Sequence, residues 1–185
     1  MVSLDVILFV AFILIIAALV IRDRKKTKLQ GIVLIRRTLK GRQFIDRVAK
    51  SRPGFFGALS TVGVVIAVPA MVIVSWLIIS NAVGILSGQA TEGVRLVLPF
   101  PSSEAQLQPG LLLVPWYFWV IGVISVMVPH EFSHGIVCRL RNIRIKSIGW
   151  LLLLFIPGAF VEPDEKQLKK ANRKTKLQIY AAGSF

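Results

Sequence analysis

Cysteine and histidine are both scarce in this 185-residue sequence. Cys138 is the single cysteine, which excludes an intrachain disulfide and leaves the redox compartment open. It lies four residues after His134, so on a helix the two would share a face and the thiol would lie near any metal held there. The interpretation that we favour is a small buried hydrophobic side chain. His130 and His134 are the two histidines, and they lie in a run that is otherwise almost purely apolar.

Acidic residues are also few, nine against 23 Lys and Arg, which gives a net charge of +14. In a soluble protein this balance would suggest a nucleic-acid partner. No run alternates basic and aromatic residues as single-strand binders do, so we predict no nucleic-acid partner. The basic residues cluster instead: twelve lie in residues 22–56, four in 139–146 and six in 166–176, which leaves Arg95 outside the clusters.

Long apolar runs make up much of the sequence. Hydrophobic residues account for 55% of the chain, and the mean hydropathy is +0.70. This composition is typical of a membrane protein. A cleaved signal peptide is the alternative for the first run, but the basic residues follow that run and do not precede it. Alternating spans place all three basic clusters on one side of the bilayer. We therefore predict a multi-pass integral membrane protein with cytoplasmic basic loops and an external N-terminus.

The predicted fold is an α-helical polytopic membrane protein with three transmembrane helices and the start of a fourth. Its predicted divisions are transmembrane helix 1 at residues 1–21, a basic cytoplasmic segment at 22–56, transmembrane helix 2 at 57–86, an external loop at 87–110 and a core at 111–185 that contains both histidines. Within the core, residues 148–161 are apolar but too short to span a membrane, and basic residues flank both ends. We expect a re-entrant, β-hairpin-like segment there, whose free edge can pair with an extended substrate. A basic loop at 162–176 and the opening of the fourth helix follow.

Shorter elements are predicted between the apolar runs. Residues 31–35 and 94–98 favour strands, and residues 38–50 favour a basic amphipathic helix. Two interpretations of that helix stay open. It lies on anionic lipid headgroups, at about 1 kcal/mol for each Lys or Arg, or it belongs to a solvated linker.

The motif His-Glu-x-x-His occupies residues 130–134. Residues four apart share one face of a helix, so His130 and His134 can direct two imidazoles at one metal ion, with Glu131 close to a metal-bound water. Zinc accepts neutral imidazole nitrogens and lowers the pKa of a water in its open position to about 7. A carboxylate beside that water can take its proton and pass it to a leaving amine. The pattern therefore predicts a zinc metalloprotease, with residues 111–185 as the metalloprotease core.

The competing interpretation of this motif is structural, with three polar side chains that hydrogen-bond neighbouring helices. Placing an ionisable side chain at membrane depth costs on the order of 2.5–3.5 kcal/mol, which argues against three such residues without a function.

Three segments together resemble the site-2 protease family of intramembrane zinc metalloproteases. They are HEFSHG within a transmembrane helix, PGAFVEPDE after a short apolar stretch, and AAGSF at the opening of a further helix. The resemblance covers residues 94–185 and is closer to the sterol-regulatory and archaeal branch than to the bacterial sporulation branch. It implies that His130 and His134 are zinc ligands and that Glu131 is the catalytic base.

In that family the third zinc ligand is an aspartate in a later segment, which has no counterpart in this sequence. We therefore expect a C-terminally truncated form whose third ligand lies beyond Phe185. Glu162, 28 residues after His134, is a weaker candidate by its spacing alone. The expected function is an intramembrane zinc metalloendopeptidase that cleaves transmembrane segments of regulatory membrane proteins. A non-catalytic membrane scaffold, or pseudoprotease, is the alternative that the missing ligand favours.

Overall fold

A computed structural model describes residues 4–22, 27–88, 93, 95–153 and 156–184. In chain order, the elements are α1 (Leu4–Arg22), β1 (Thr27–Gln30), β2 (Val33–Thr38), α2 (Arg42–Ser51), α3 (Pro53–Leu86), β3 (Leu96–Phe100), β4 (Gln106–Gln108), β5 (Leu111–Pro115), α4 (Trp116–Leu140), β6 (Ile145–Leu153), β7 (Ile156–Pro163), α5 (Glu165–Lys170), α6 (Arg173–Tyr180) and a 3-10 turn (Ala181–Ser184). They form two compact units, Met1–Ile21 with Pro69–Ile124 and Arg22–Val68 with Ser125–Phe185.

Three of the described helices, α1, α3 and α4, are long and apolar enough to cross a membrane. At about 1.5 Å per residue, the 19 residues of α1 nearly match a hydrocarbon core of about 30 Å, while the 34 residues of α3 exceed it and leave room for tilt. Large apolar side chains on these helices are exposed, as lipid-facing positions require. The three long apolar helices that the sequence predicted are present, and their length and composition are those of an integral membrane protein.

The first unit contains a three-stranded sheet that the sequence analysis did not foresee. Residues 111–115 are strand β5, parallel to β3 and antiparallel to β4, so the helix that carries the motif begins only at Trp116. The periodicity of a short apolar run does not distinguish a strand from a buried helix. Pairing with neighbouring strands determines which of the two forms. The predicted strand 94–98 lies two residues later, at β3, and residue 94 is outside the described residues.

The second unit is built on a four-stranded antiparallel sheet in the order β1-β2-β6-β7. The predicted hairpin at 148–161 is present as β6 and β7, but the strands are longer, and β6 pairs with β2 from the basic segment. Residues 154 and 155, between the two strands, lie outside the described residues. The fold class is therefore mixed, with two sheets beside the helices, and not helical with one hairpin. That this hairpin enters the membrane stays a prediction.

Turn geometry moves two predicted elements. Gly31, with φ of +62°, forms part of the turn between β1 and β2, so the strand predicted at 31–35 begins only at Val33. The helix predicted at 38–50 is α2, which begins at Arg42 because Thr38 still belongs to β2 and Gly41 has φ of +92°. A positive φ is accessible to glycine at little cost, which explains both turns.

The predicted basic loop at 162–176 is also wrong in its secondary structure. Strand β7 extends to Pro163, and two short helices follow. Asp164 caps α5 by accepting from the Gln167 backbone N–H at 3.0 Å, and Asn172 caps α6 by accepting from the Thr175 N–H at 2.8 Å. These side chains satisfy first-turn donors that would otherwise have no partner. Residues 177–184, predicted to open a fourth long helix, form the end of α6 and the 3-10 turn.

The core of the second unit brings α2 and α6 against the second half of α4. Its buried residues are Ile45 and Ala49 of α2, Ile136, Val137 and Cys138 of α4, Ile143 and Ile145 before and in β6, and Ile179 and Ala182 near the chain's C-terminal end. Cys138 is 1% exposed in this core, as expected for a small hydrophobic side chain. The packing fixes the half of α4 that carries the motif.

Candidate active site

The motif residues of α4 come together as their spacing predicts. His130 and His134 lie one turn apart, with ring centroids 4.8 Å apart and ring planes at 72°. Their Nε2 atoms face each other at 3.2 Å. The structure therefore directs two imidazole nitrogens toward the same small space beside the helix.

The C-terminal part of α6 and the 3-10 turn hold the opposite nitrogens of both rings. His130 Nδ1 lies 2.9 Å from the carbonyl oxygen of Gly183, and His134 Nδ1 lies 2.6 Å from that of Ile179. A carbonyl oxygen only accepts hydrogen bonds, so each Nδ1 carries a hydrogen and donates it. In a neutral imidazole the other nitrogen then has a lone pair. Both lone pairs are on the facing Nε2 atoms.

Two lone pairs at this separation repel each other unless a cation, either a proton or a metal ion, lies between them. In a tetrahedral zinc site with Zn–N bonds of about 2.0–2.1 Å, two ligand nitrogens lie about 3.3–3.4 Å apart. The observed separation of 3.2 Å is close to that value. Metal-ligating histidines also commonly donate their other N–H to a backbone carbonyl, as both do here. The two residues therefore fit zinc as ligands.

Glu131 faces the sheet. Its Oε2 accepts a hydrogen bond from the backbone N–H of Val161 in β7, at 3.0 Å. Among the described residues, Oε1 has no hydrogen-bond partner. The carboxylate is half-buried and anchored through one oxygen, which leaves the other oxygen able to accept a proton.

The outer edge of β7 runs along α4. The N–H of Ala159 is directed at the sulfur of Met127 at 2.9 Å, one helical turn before Glu131. Ala159 and Val161 are two residues apart, so their N–H groups point to the same side of the strand. The edge that the sequence analysis took as free for a substrate is therefore engaged at both positions by side chains of α4.

Gly183 lies directly against the His130 ring, a contact that the sequence analysis did not predict. A Cβ atom at this residue would lie 2.1 Å from Cε1, 2.3 Å from Nδ1 and 2.5 Å from Nε2 of His130. The imidazole thus occupies the space that any other residue's side chain would need. The signal available in the sequence was a small residue in AAGSF, which gives no indication of its partner.

The described residues contain no group of three or more His, Cys, Asp and Glu side chains placed to hold a metal ion. Glu162 belongs to a different cluster. It accepts from the Ser147 hydroxyl at 2.5 Å and pairs with Lys146 at 3.1 Å and Arg37 at 3.5 Å. The Ser147 hydrogen bond, and secondarily the Lys146 ammonium, hold the pKa of this carboxyl below its ordinary value. These contacts occupy the carboxylate that spacing alone made a candidate ligand.

Part of the chain is similar to a known protein family. Residues 118–185 match the model of Peptidase family M50, the site-2 protease family. The resemblance drawn from HEFSHG and PGAFVEPDE is thereby confirmed for this part of the chain. Peptidases of this family are embedded in membranes and are generally zinc metalloproteases.

The chain is also similar to an uncharacterized protein of Methanocaldococcus jannaschii. The two are 32% identical over 184 residues, which is 96% of this chain and 46% of that protein. The chain thus spans about half the length of the curated relative that it matches. No solved structure matches the chain.

Proposed function

We propose that this chain provides catalytic residues of an intramembrane zinc metalloendopeptidase that cleaves transmembrane segments of other membrane proteins. The observation that carries the proposal is the pair of facing Nε2 atoms, which lie 3.2 Å apart. Two backbone carbonyls, which accept from the Nδ1 atoms, set the tautomers of the two imidazole rings. The match to Peptidase family M50 supports the same reaction class. In this proposal His130 and His134 hold the zinc ion, and a third ligand comes from outside the described residues.

When bound, zinc supplies a Lewis acid that lowers the pKa of a coordinated water to about 7 and polarises a peptide carbonyl. Glu131 is the general base. Its Oε2 is anchored to the Val161 N–H, so the carboxylate keeps one orientation while Oε1 takes the proton. The same oxygen then delivers that proton to the leaving amine. His130 and His134 would hold the ion through Nε2, since their Nδ1 atoms face the carbonyl oxygens of Gly183 and Ile179.

A transmembrane substrate fits the position of the site along α4. His134 lies five residues before Arg139, or about 7.5 Å along the axis, so the reaction takes place below the basic end of the helix. A substrate helix must unwind locally to expose a peptide bond there. An extended segment would then lie along the outer edge of β7, where Met127 would release the Ala159 N–H for pairing while Glu131 keeps its hydrogen bond to Val161.

The basic segments are proposed to be cytoplasmic, with the lipid bilayer as the second partner of the chain. The clusters at 22–56, 139–146 and 166–176 support this, because positive loops stay on the cytoplasmic side. That orientation places the N-terminus outside and the metal site nearer the cytoplasmic surface.

Glu131→Gln tests the catalytic assignment. A glutamine keeps an oxygen that can accept from the Val161 N–H but cannot take a proton, so the fold and zinc content should not change. Cleavage of a model transmembrane substrate should fall by about 10²–10⁴-fold or more. Glu162→Gln is the matched control, since it removes a carboxylate of the same unit from a cluster without the motif, and it should keep cleavage near the unmodified level. Full cleavage by the Glu131→Gln protein would refute the mechanism.

A membrane scaffold without catalytic activity is the second candidate. It is favoured by the two-residue ligand set, since the described residues provide no third histidine, cysteine or carboxylate at the site. In that case one proton shared by His130 and His134 satisfies both lone pairs. Zinc analysis of the purified product of the complete gene separates the two functions. One zinc ion per chain supports the peptidase, and none supports the scaffold.

A further inference from the structure

Gln178 is a buried polar side chain close to the proposed metal site, for which the mechanism above has no use. It lies on α6 directly before Ile179, whose carbonyl oxygen holds His134, and it is 1% exposed. Its Nε2 donates to the Thr61 hydroxyl of α3 at 2.9 Å. Its Oε1 is buried and has no partner among the described residues.

The direction of the Gln178 hydrogen bond is fixed by the next contact. Thr61 Oγ1 lies 3.0 Å from the carbonyl oxygen of Gly57, one turn earlier in α3, and donates its only hydrogen there. The hydroxyl can therefore only accept from Gln178, so the amide nitrogen must face Thr61. A continuous chain of hydrogen bonds thus runs from α6 through Thr61 to the backbone of α3.

This arrangement is costly for stability alone. A buried amide oxygen without a partner loses its hydration and gains no hydrogen bond in return. An apolar side chain of similar length would fill the same space without that penalty. The neighbouring contacts of Ile179 and Ala182 already bury the apolar side of this segment. A buried glutamine here therefore indicates that α6 must keep one orientation against α3, because apolar packing alone does not fix that orientation.

We propose that Gln178 and Thr61 are positioning residues for the two imidazoles. Their hydrogen bond fixes the rotation and height of α6 against α3. That in turn sets the carbonyl oxygens of Ile179 and Gly183, which orient His134 and His130. This inference rests on the proposed zinc site. The hydrogen bonds of these two side chains do not involve either imidazole among the described residues, so we assign their effect to the two carbonyls.

The test uses Gln178→Met and Thr61→Val, which keep side-chain size and remove the hydrogen bond, singly and together. The measurement is the zinc dissociation constant, determined by chelator competition. It uses the detergent-solubilised product of the complete gene, and circular dichroism checks that each protein is folded. Each single variant should weaken zinc binding about 10–100-fold, the range found for lost outer-shell partners. The double variant should be no weaker than the worse single variant, because both remove one bond. Thr61→Ser should restore the affinity.

Ser80→Ala is the matched control. Its hydroxyl also lies in α3 but donates only within that helix, to Leu77 at 3.0 Å, so zinc affinity should stay within twofold. The inference is overturned if Gln178→Met and Thr61→Val lower the melting temperature while the folded proteins keep the original zinc affinity. Additive losses in the double variant also overturn it. If the unmodified protein binds no zinc, the proposed function itself fails, and this inference fails with it.

Discussion

Gly183→Ala is the sharpest test of the geometry around the histidines. The added Cβ would lie 2.1–2.5 Å from three atoms of the His130 ring, whereas ordinary contacts begin at about 3.4 Å. Relief requires a movement of about 1 Å or more, of the ring or of the 3-10 turn. The imidazole cannot yield without losing its place opposite His134 Nε2. The turn cannot yield without moving the Gly183 carbonyl away from His130 Nδ1.

Either movement weakens the same site. The loss of an outer partner of a ligating histidine typically lowers metal affinity 10–100-fold. A misplacement of about 1 Å can cost about 10²-fold in rate. We therefore expect Gly183→Ala to raise the zinc dissociation constant at least tenfold and to lower kcat/KM for a transmembrane substrate by about 10²-fold at saturating zinc.

Zinc affinity by chelator competition and cleavage of a labelled transmembrane peptide in detergent measure the two effects. Gly122→Ala is the control, since it lies in α4 and an added Cβ there meets nothing within 4 Å. It should leave both values unchanged, and a helical glycine-to-alanine change does not destabilise. A Gly183→Ala protein with unchanged zinc affinity would show that the His130–Gly183 contact does not exist in the molecule.

Two further predictions concern stability. Because the pKa of Glu162 is lowered in the folded chain, its contribution is complete above the ordinary value of about 4.5 and is lost as pH falls through the lower folded pKa. Melting temperature should therefore drop below pH 4.5, and Glu162→Gln should reduce that drop; an identical profile in the variant would contradict the assignment. Asp46→Asn removes the negative charge from the hydrogen-bonded ion pair with Arg139 that joins α2 to α4, and both side chains are mostly buried. We expect a loss of about 1.5–3 kcal/mol in unfolding free energy, measured by thermal or denaturant unfolding in detergent, and a loss under 0.5 kcal/mol would exclude this role.

The parts of the molecule that depend on spacing within one element could be predicted from the sequence. The i, i+4 positions of His130 and His134 fix them on one face of any helix, whatever surrounds that helix. The three spans follow in the same way from run length and hydropathy. The hairpin at 148–161 was predicted from its apolar length and its flanking charges, and its two strands are present at β6 and β7.

The parts that depend on contact between distant segments could not be predicted. Strand β5 has the composition of the helix that follows it, and only pairing with β3 and β4 makes it a strand. The short helices α5 and α6 were not predicted because their segment is polar and basic, which is typical of a loop. Asp164 and Asn172 are nevertheless residues that favour the N-cap position. The partners of the histidines are backbone carbonyls of residues 179 and 183. Backbone groups leave no mark on residue identity, so no motif could indicate them.

The three motif side chains to which we assign the chemistry are all oriented by main-chain atoms. Glu131 is held by the Val161 N–H, His134 by the Ile179 carbonyl and His130 by the Gly183 carbonyl. A main-chain partner stays in place when the side chain of its residue changes, provided that the backbone path does not. The site therefore limits the sequence only through space, as at Gly183, and through whatever fixes the backbone path of β7 and α6. This division explains why a short motif can mark the site while the elements that orient it carry no motif of their own.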